Sequence, residues 1–212
     1  MGCGSSSEVG SADQKSRGGL DFSPKKKDGD FNAIWAELRV KLPRTKSSED
    51  AAARKTLFNQ FDPNGNGYLS LAEIDKGARE ILTLDRLTDD LAPILMRAYT
   101  KAKSAGKRHG NKNDNVDYVE RAEFRLLMVY IYDFFEMWIA FDEIDTSDDR
   151  RVTPVEFKKA IPTIEKWGVK IDDADAAFKE IDTNGGGYIL FAEFCDWAFN
   201  KHLDADGEVN VE

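Results

Sequence analysis

Three stretches of this 212-residue chain place oxygen-bearing side chains at alternate positions over twelve residues and close on a glutamate. Residues 62–73 read DPNGNGYLSLAE, residues 145–156 DTSDDRRVTPVE and residues 182–193 DTNGGGYILFAE. Calcium is a hard cation that takes six to eight oxygens, and a twelve-residue loop delivers them from positions 1, 3, 5, 7, 9 and 12. The glutamate at position 12 binds through both of its oxygens and position 7 gives a backbone carbonyl. Glycine at position 6 permits the sharp turn that brings the ligands together. The chemistry open to these residues is calcium chelation, with magnesium admissible on the same oxygens at rest.

The first loop meets every requirement through Asp62, Asn64, Asn66, Gly67 at the turn, the Tyr68 carbonyl, Ser70 and Glu73. An Asx-rich turn that binds nothing is its structural alternative, and two carboxylates make a modest binder. The last loop keeps Asp182, Asn184, Gly187, the Tyr188 carbonyl and Glu193. Gly186 at position 5 and Leu190 at position 9 bring no side-chain oxygen, so water must serve there. Residues 145–156 offer Asp145, Ser147, Asp149, the Arg151 carbonyl, Thr153 and Glu156, but Arg150 stands where glycine belongs. A left-handed backbone costs a non-glycine residue on the order of 1 kcal/mol, and the guanidinium opposes a second cation nearby. A fourth copy, ending at Glu123, puts Lys112 at position 1, Val116 at position 5 and Asp117 at position 6, which argues against an ion there. Its Val119 matches the apolar position 8 held by Leu69, Val152 and Ile189, through which paired loops form a short antiparallel bridge. A structural partnership with the first loop is its expected role.

These loops need helices to aim them, and the flanking pattern supplies the signal. An aromatic residue, then an apolar one and the first Asp recur as Phe58, Phe61 and Asp62, as Phe141, Ile144 and Asp145, and as Phe178, Ile181 and Asp182. Each closing glutamate is followed by an apolar residue: Ile74, Phe124, Phe157 and Phe194. The repeat predicts an all-α fold of four helix-loop-helix units in two pairs, with short antiparallel loop bridges and a disordered N-terminal arm. We place the arm at 1–30, the first pair with its leading helix at 31–125, the second pair at 126–203 and an acidic tail at 204–212. Phe31, Ile34, Trp35 and Leu38 recur at helical spacing and Pro43 ends that leading helix. The apolar stretch with Phe124, Leu127, Met128, Ile131, Phe134, Phe135, Trp138 and Phe141 is the expected core.

Charge and termini narrow the function. The chain carries a net −9, although residues 1–46 hold nine basic against six acidic side chains, so the body is strongly acidic. Such a field repels nucleic acid and concentrates cations, while serving equally as a solubility device. No uncharged apolar run approaches the roughly 20 residues of a membrane span. The start MGCGSSS lacks the long apolar stretch of a secretory signal. It matches instead the N-myristoylation pattern, with Gly2 behind the initiator Met and Ser6 in place. One myristoyl chain holds a membrane only marginally, so Cys3 matters as a candidate palmitoyl site, and Lys25, Lys26 and Lys27 could each add about 1 kcal/mol on an anionic leaflet. An unmodified, flexible terminus is the alternative. Two cysteines make no disulfide framework. His109 and His202 have no nucleophile beside them, so no enzyme is expected. Cys195, Trp138, Trp167 and Trp197 fall on apolar stripes and read as core.

Together these residues resemble the calflagins, the flagellar calcium-binding proteins of trypanosomatids, which begin with Met-Gly and an early Cys and contain four EF-hand units. The likeness is strongest in EFRLLMVYIYDFFEMWIAFDEID from Glu123 to Asp145 and in FKEIDTNGGGY from Phe178 to Tyr188, and extends from about Trp35 to Leu203. The resemblance implies acylation at Gly2 and Cys3, residence at the cytoplasmic face of the flagellar or plasma membrane, and calcium in some loops but not all. Arg150, Gly186, Leu190 and the short tail depart from the pattern. The expected function is a membrane-attached calcium sensor with membrane lipids and an unidentified protein as partners and no nucleic acid. A calcium buffer, or a structural membrane adaptor with empty loops, is the alternative.

Overall fold

Proline 43 separates helix α1 (Phe31–Lys41) from α2 (Ser48–Phe61). α2 begins where the Ser47 hydroxyl accepts the Asp50 N–H at 3.1 Å, with Glu49 and Asp50 facing the positive end of the helix dipole. Arg54 reaches back to the carbonyls of Pro43 and Thr45, at 3.0 and 2.6 Å, and closes the bend between the two helices. The computed structural model describes residues 31–84, 91–108 and 117–201. Gly2, Cys3, the lysine cluster, His109, Lys112, Val116, His202 and the tail lie outside them.

The first unit is α2, strand β1 (Tyr68–Leu69) and α3 (Leu71–Glu80). The second is α4 (Leu91–Arg108), β2 (Val119–Glu120) and α5 (Phe124–Ile144). α5 then leads into the third, with β3 (Arg151–Val152) and α6 (Pro154–Lys166), and α7 (Ala174–Ile181), β4 (Ile189–Leu190) and α8 (Phe191–Asn200) make the fourth. The expected architecture of four units in two pairs is the observed one. β1 and β2 run antiparallel with Leu69 opposite Val119, and β3 and β4 with Val152 opposite Ile189. Position 8 therefore meets position 8 in both pairs, and all four of these residues are fully buried. Position 7 meets its counterpart side by side: Tyr68 and Tyr118 pack with ring centroids 6.3 Å apart, and the Arg151 guanidinium lies 5.0 Å from the Tyr188 ring.

Fifteen of the 21 residues of α5 are buried, which makes it a core helix rather than an amphipathic one. It is at once the outgoing helix of the second unit and the incoming helix of the third, so the division between residues 125 and 126 falls inside it. α1 and α4 pack against it from the first pair, α6 and α8 from the second, and the buried residues of both pairs form one cluster. At its start, Phe124 meets Phe58 and Phe61 edge-on at 5.2 and 5.7 Å. Near its end, Phe141 meets Trp138, Phe191 and Phe194 at 6.3, 5.7 and 5.7 Å. Gly77 lets α3 lie against the Phe61 ring, since a Cβ there would stand 2.5 Å from it. Cys195 is fully buried and, as expected, a core residue; burial pushes its thiol well above the ordinary range.

Candidate metal centres

The incoming helices of the first, third and fourth units end on the aspartate at position 1, whose carboxylate then organises the turn. Asp62 Oδ2 accepts the Gly67 N–H at 2.9 Å, Asp145 Oδ2 the Arg150 N–H at 2.8 Å and Asp182 Oδ2 the Gly187 N–H at 2.9 Å. The other oxygen takes the N–H of Asn66 at 3.1 Å, Asp148 at 2.8 Å or Gly186 at 2.9 Å. Two residues of each loop must adopt positive φ to present these donors: Gly65 and Gly67 at +71° and +85°, Gly185 and Gly187 at +68° and +82°. In the third loop the same two positions are Asp148 at +63° and Arg150 at +64°. Arg150 was legible as a strained residue; Asp148, at the less familiar position 4, was not.

The outgoing helices explain the other end of each loop. Ser70 caps α3 and Thr153 caps α6, each accepting the N–H of its glutamate at 3.3 Å. In return Glu73 Oε2 takes the Ser70 N–H and hydroxyl at 2.9 and 2.8 Å, and Glu156 Oε2 takes those of Thr153 at the same distances. Positions 9 to 12 of the metal loop are thus a capping box, S/T-x-x-E, and one glutamate starts the helix and faces the site. That signal stood in the sequence unread. Leu190 has no side-chain acceptor and contributes only its N–H, at 2.9 Å from Glu193 Oε2. Glu123 keeps the same bond to the Glu120 N–H at 2.9 Å, so the second unit preserves the closing end of a loop.

In the first loop these bonds converge on one centre. The Asn66 N–H is shared by Asp62 Oδ1 and Asn64 Oδ1, the latter at 2.9 Å, and the Asn64 amide donates to Glu73 Oε1 at 2.5 Å. Asp62, Asn64, Asn66 and Glu73 thereby form a single network, with the Tyr68 N–H tied to Asn66 Oδ1 at 2.8 Å. In the third loop Asp145, Ser147 and Glu156 are linked, the Ser147 hydroxyl donating to Asp145 and its N–H to Glu156, while Asp149 accepts the Arg151 N–H beside them. In the fourth, Asn184 donates to Glu193 through both its N–H and its side chain. Among the described residues no three His, Cys, Asp or Glu side chains gather as a metal cluster. The donors are hydroxyl, amide, carbonyl and carboxylate oxygens, and such a hard set fits calcium. Asp62, Asp145, Glu156 and Glu193 are all buried, so each loop holds carboxylates out of water where a cation would offset their charge.

Burial works against the charged form of Glu156, but the bonds from Thr153, Thr146 and Ser147 outweigh it and hold its carboxyl at about 2. A lowered carboxyl stabilises the fold fully above its ordinary value of 4.5, and that contribution is lost as pH falls toward 2. We expect carbon-detected NMR of the calcium-free protein to place the Glu156 midpoint near 2, and a midpoint near 4.5 would contradict the hydrogen-bond network. Burial instead pushes Glu123 up, against the pull of the Glu120 N–H and with the Glu120 charge adding to the rise. Arg150→Gly relieves strain of about 1 kcal/mol, much of which glycine's freedom in the unfolded chain takes back. Melting should therefore move little, while removal of one positive charge beside the loop raises the calcium affinity of the third loop severalfold. Calorimetry of the variant against the parent chain reads both effects.

Helix, loop and helix, repeated four times in two bridged pairs and with oxygen-bearing loops in the first, third and fourth units, define an EF-hand protein. A family model described as the FCaBP EF-hand domain matches residues 38–131, and one described as an EF-hand domain pair matches 134–199. The flagellar calcium-binding protein of Trypanosoma cruzi is 44% identical over 174 residues, 82% of each chain. Flagellar calcium-binding protein TB-24 of Trypanosoma brucei brucei is 41% identical over 99% of this chain and 97% of its own, and TB-17 is 40% identical over 100% and 90%. The chain belongs to the flagellar calcium-binding protein family, the calflagins. This is a family of calcium-binding proteins rather than of enzymes, as the sequence led us to expect.

Proposed function

We propose that this protein is a membrane-attached calcium sensor of the flagellum, taking ions in the loops at 62–73, 145–156 and 182–193. The observation that carries this reading is the hydrogen-bonded convergence of the position 1 aspartate and position 12 glutamate with the oxygens between them in the first and third loops, with Asn184 tied to Glu193 in the fourth. The ligands are the side chains of Asp62, Asn64, Asn66, Ser70 and Glu73, of Asp145, Ser147, Asp149 and Glu156, and of Asp182, Asn184 and Glu193. The carbonyls of Tyr68, Arg151 and Tyr188 complete them, with water at Gly186. Attachment runs through Gly2 and Cys3 to the cytoplasmic face of the flagellar or plasma membrane; the flagellar names of the relatives support the place. In a sensor, ion binding opens helix pairs and presents apolar surface to a protein target.

Vesicle sedimentation tests attachment. Chain co-expressed with an N-myristoyltransferase should pellet with phosphatidylserine vesicles, and Gly2→Ala should stay in the supernatant. Equal pelleting of the two would contradict the anchor. An apolar dye whose fluorescence rises with calcium supports the sensor, and one that does not respond leaves a buffer.

A further inference from the structure

The third and fourth loops share a residue at position 2 that the first lacks. The Thr146 hydroxyl donates to Glu156 Oε1 at 2.8 Å, beside the Ser147 N–H at 2.9 Å. The Thr183 hydroxyl donates to Glu193 Oε1 at 3.2 Å, beside the N–H and side chain of Asn184 at 3.1 and 2.7 Å. Glu156 Oε2 is held in turn by the N–H and hydroxyl of Thr153. An ionised carboxylate has about four lone-pair sites, and on Glu156 four donors fill them. An ion that takes both oxygens must displace a donor from each. On Oε1 the rotatable hydroxyl is the donor that can turn to water without moving the backbone.

Position 2 of the first loop is Pro63, which has neither hydroxyl nor N–H. Glu73 Oε1 there has only the Asn64 side chain, itself a ligand that must rotate when the loop is loaded. We propose that Thr146 and Thr183 are positioning residues that latch the chelating glutamates of the third and fourth loops in a metal-free pose, so that calcium must break these bonds to enter and each loop binds it more weakly than it would without the hydroxyl. The proposal rests on the reading of these loops as calcium sites. It needs no opening of helices, and it makes position 2, which is no ligand, a determinant of how tightly these two loops hold calcium.

Both threonines are exposed, and valine matches their shape, so Thr146→Val and Thr183→Val remove a hydroxyl without touching the core. Calcium titration of the labelled full chain can be read loop by loop at the amides of Gly67, Arg150 and Gly187, each bonded to its own position 1 aspartate. Thr146→Val should tighten binding at Arg150 about tenfold and leave Gly67 unmoved, and Thr146→Ser should restore the parent affinity. Thr183→Val should act likewise at Gly187, more weakly because its bond is longer. In chelator, Thr146→Val should melt about 3 °C below the parent and Thr146→Ser level with it. Unchanged or weaker binding at Arg150, or equal behaviour of valine and serine, overturns the latch. If the parent chain takes no calcium at any loop the calcium reading fails, and the melting comparison in chelator then decides whether the hydroxyl holds the glutamate.

Discussion

Replacing Glu73 by glutamine should remove one calcium ion from the protein. Glu73 stands at position 12 of the first loop, the place from which a side chain meets the ion with both of its charged oxygens, and its amide analogue offers one neutral oxygen. Loss of a supporting partner around a metal typically costs 10–100-fold in affinity, so loss of the chelating group itself should cost the first loop at least about a hundredfold. Glutamine retains one oxygen for the Ser70 N–H and hydroxyl, so the cap on α3 and the start of the helix survive. Calorimetry should therefore show one site fewer with circular dichroism unchanged. A variant that binds as many ions as the parent would mean that the first loop is an Asx turn and the ions sit elsewhere.

Phe141→Ala should cost the largest share of stability among single substitutions in the second pair. The ring is 1% exposed and touches Trp138 on its own helix and Phe191 and Phe194 on α8, so its removal leaves a cavity between the two helices. Truncations of this kind cost about 3–5 kcal/mol. Thermal melting in chelator should fall by roughly 10 °C, with part of the loss recovered in saturating calcium because ions bind only the folded loops. Because α5 also carries Phe124 into the core of the first pair, both pairs should melt together. Separate transitions would show that the shared helix does not couple them.

The fold was legible in this chain because the repeat carries its own punctuation. Phe58, Phe141 and Phe178 announce three incoming helices, and the glutamates at 73, 123, 156 and 193 announce all four outgoing ones. Even the second loop, with Lys112 where an aspartate belongs, kept Val119 opposite Leu69, because bridge formation needs only an apolar residue at position 8. What stayed hidden depends on groups that meet across a turn. Nothing in the spacing says that Asp148 has positive φ, that Thr146 and Thr183 bond the closing glutamates, or that Gly77 makes room for Phe61. The long apolar stretch that holds Phe124 and Phe141 was, by contrast, legible as helical core, and it is one continuous helix from Phe124 to Ile144. Ligand types at fixed intervals are a local signal, whereas the hydrogen bonds that set their poise join residues nine or ten positions apart.

The most direct test of the account is the number of calcium ions that the unacylated full chain takes up by isothermal titration calorimetry with magnesium present. Two or three ions per chain, with Glu73→Gln lowering the count by one, is the result these loops predict. No calcium heat would contradict the assignment of the loops as metal centres and would leave a structural membrane adaptor.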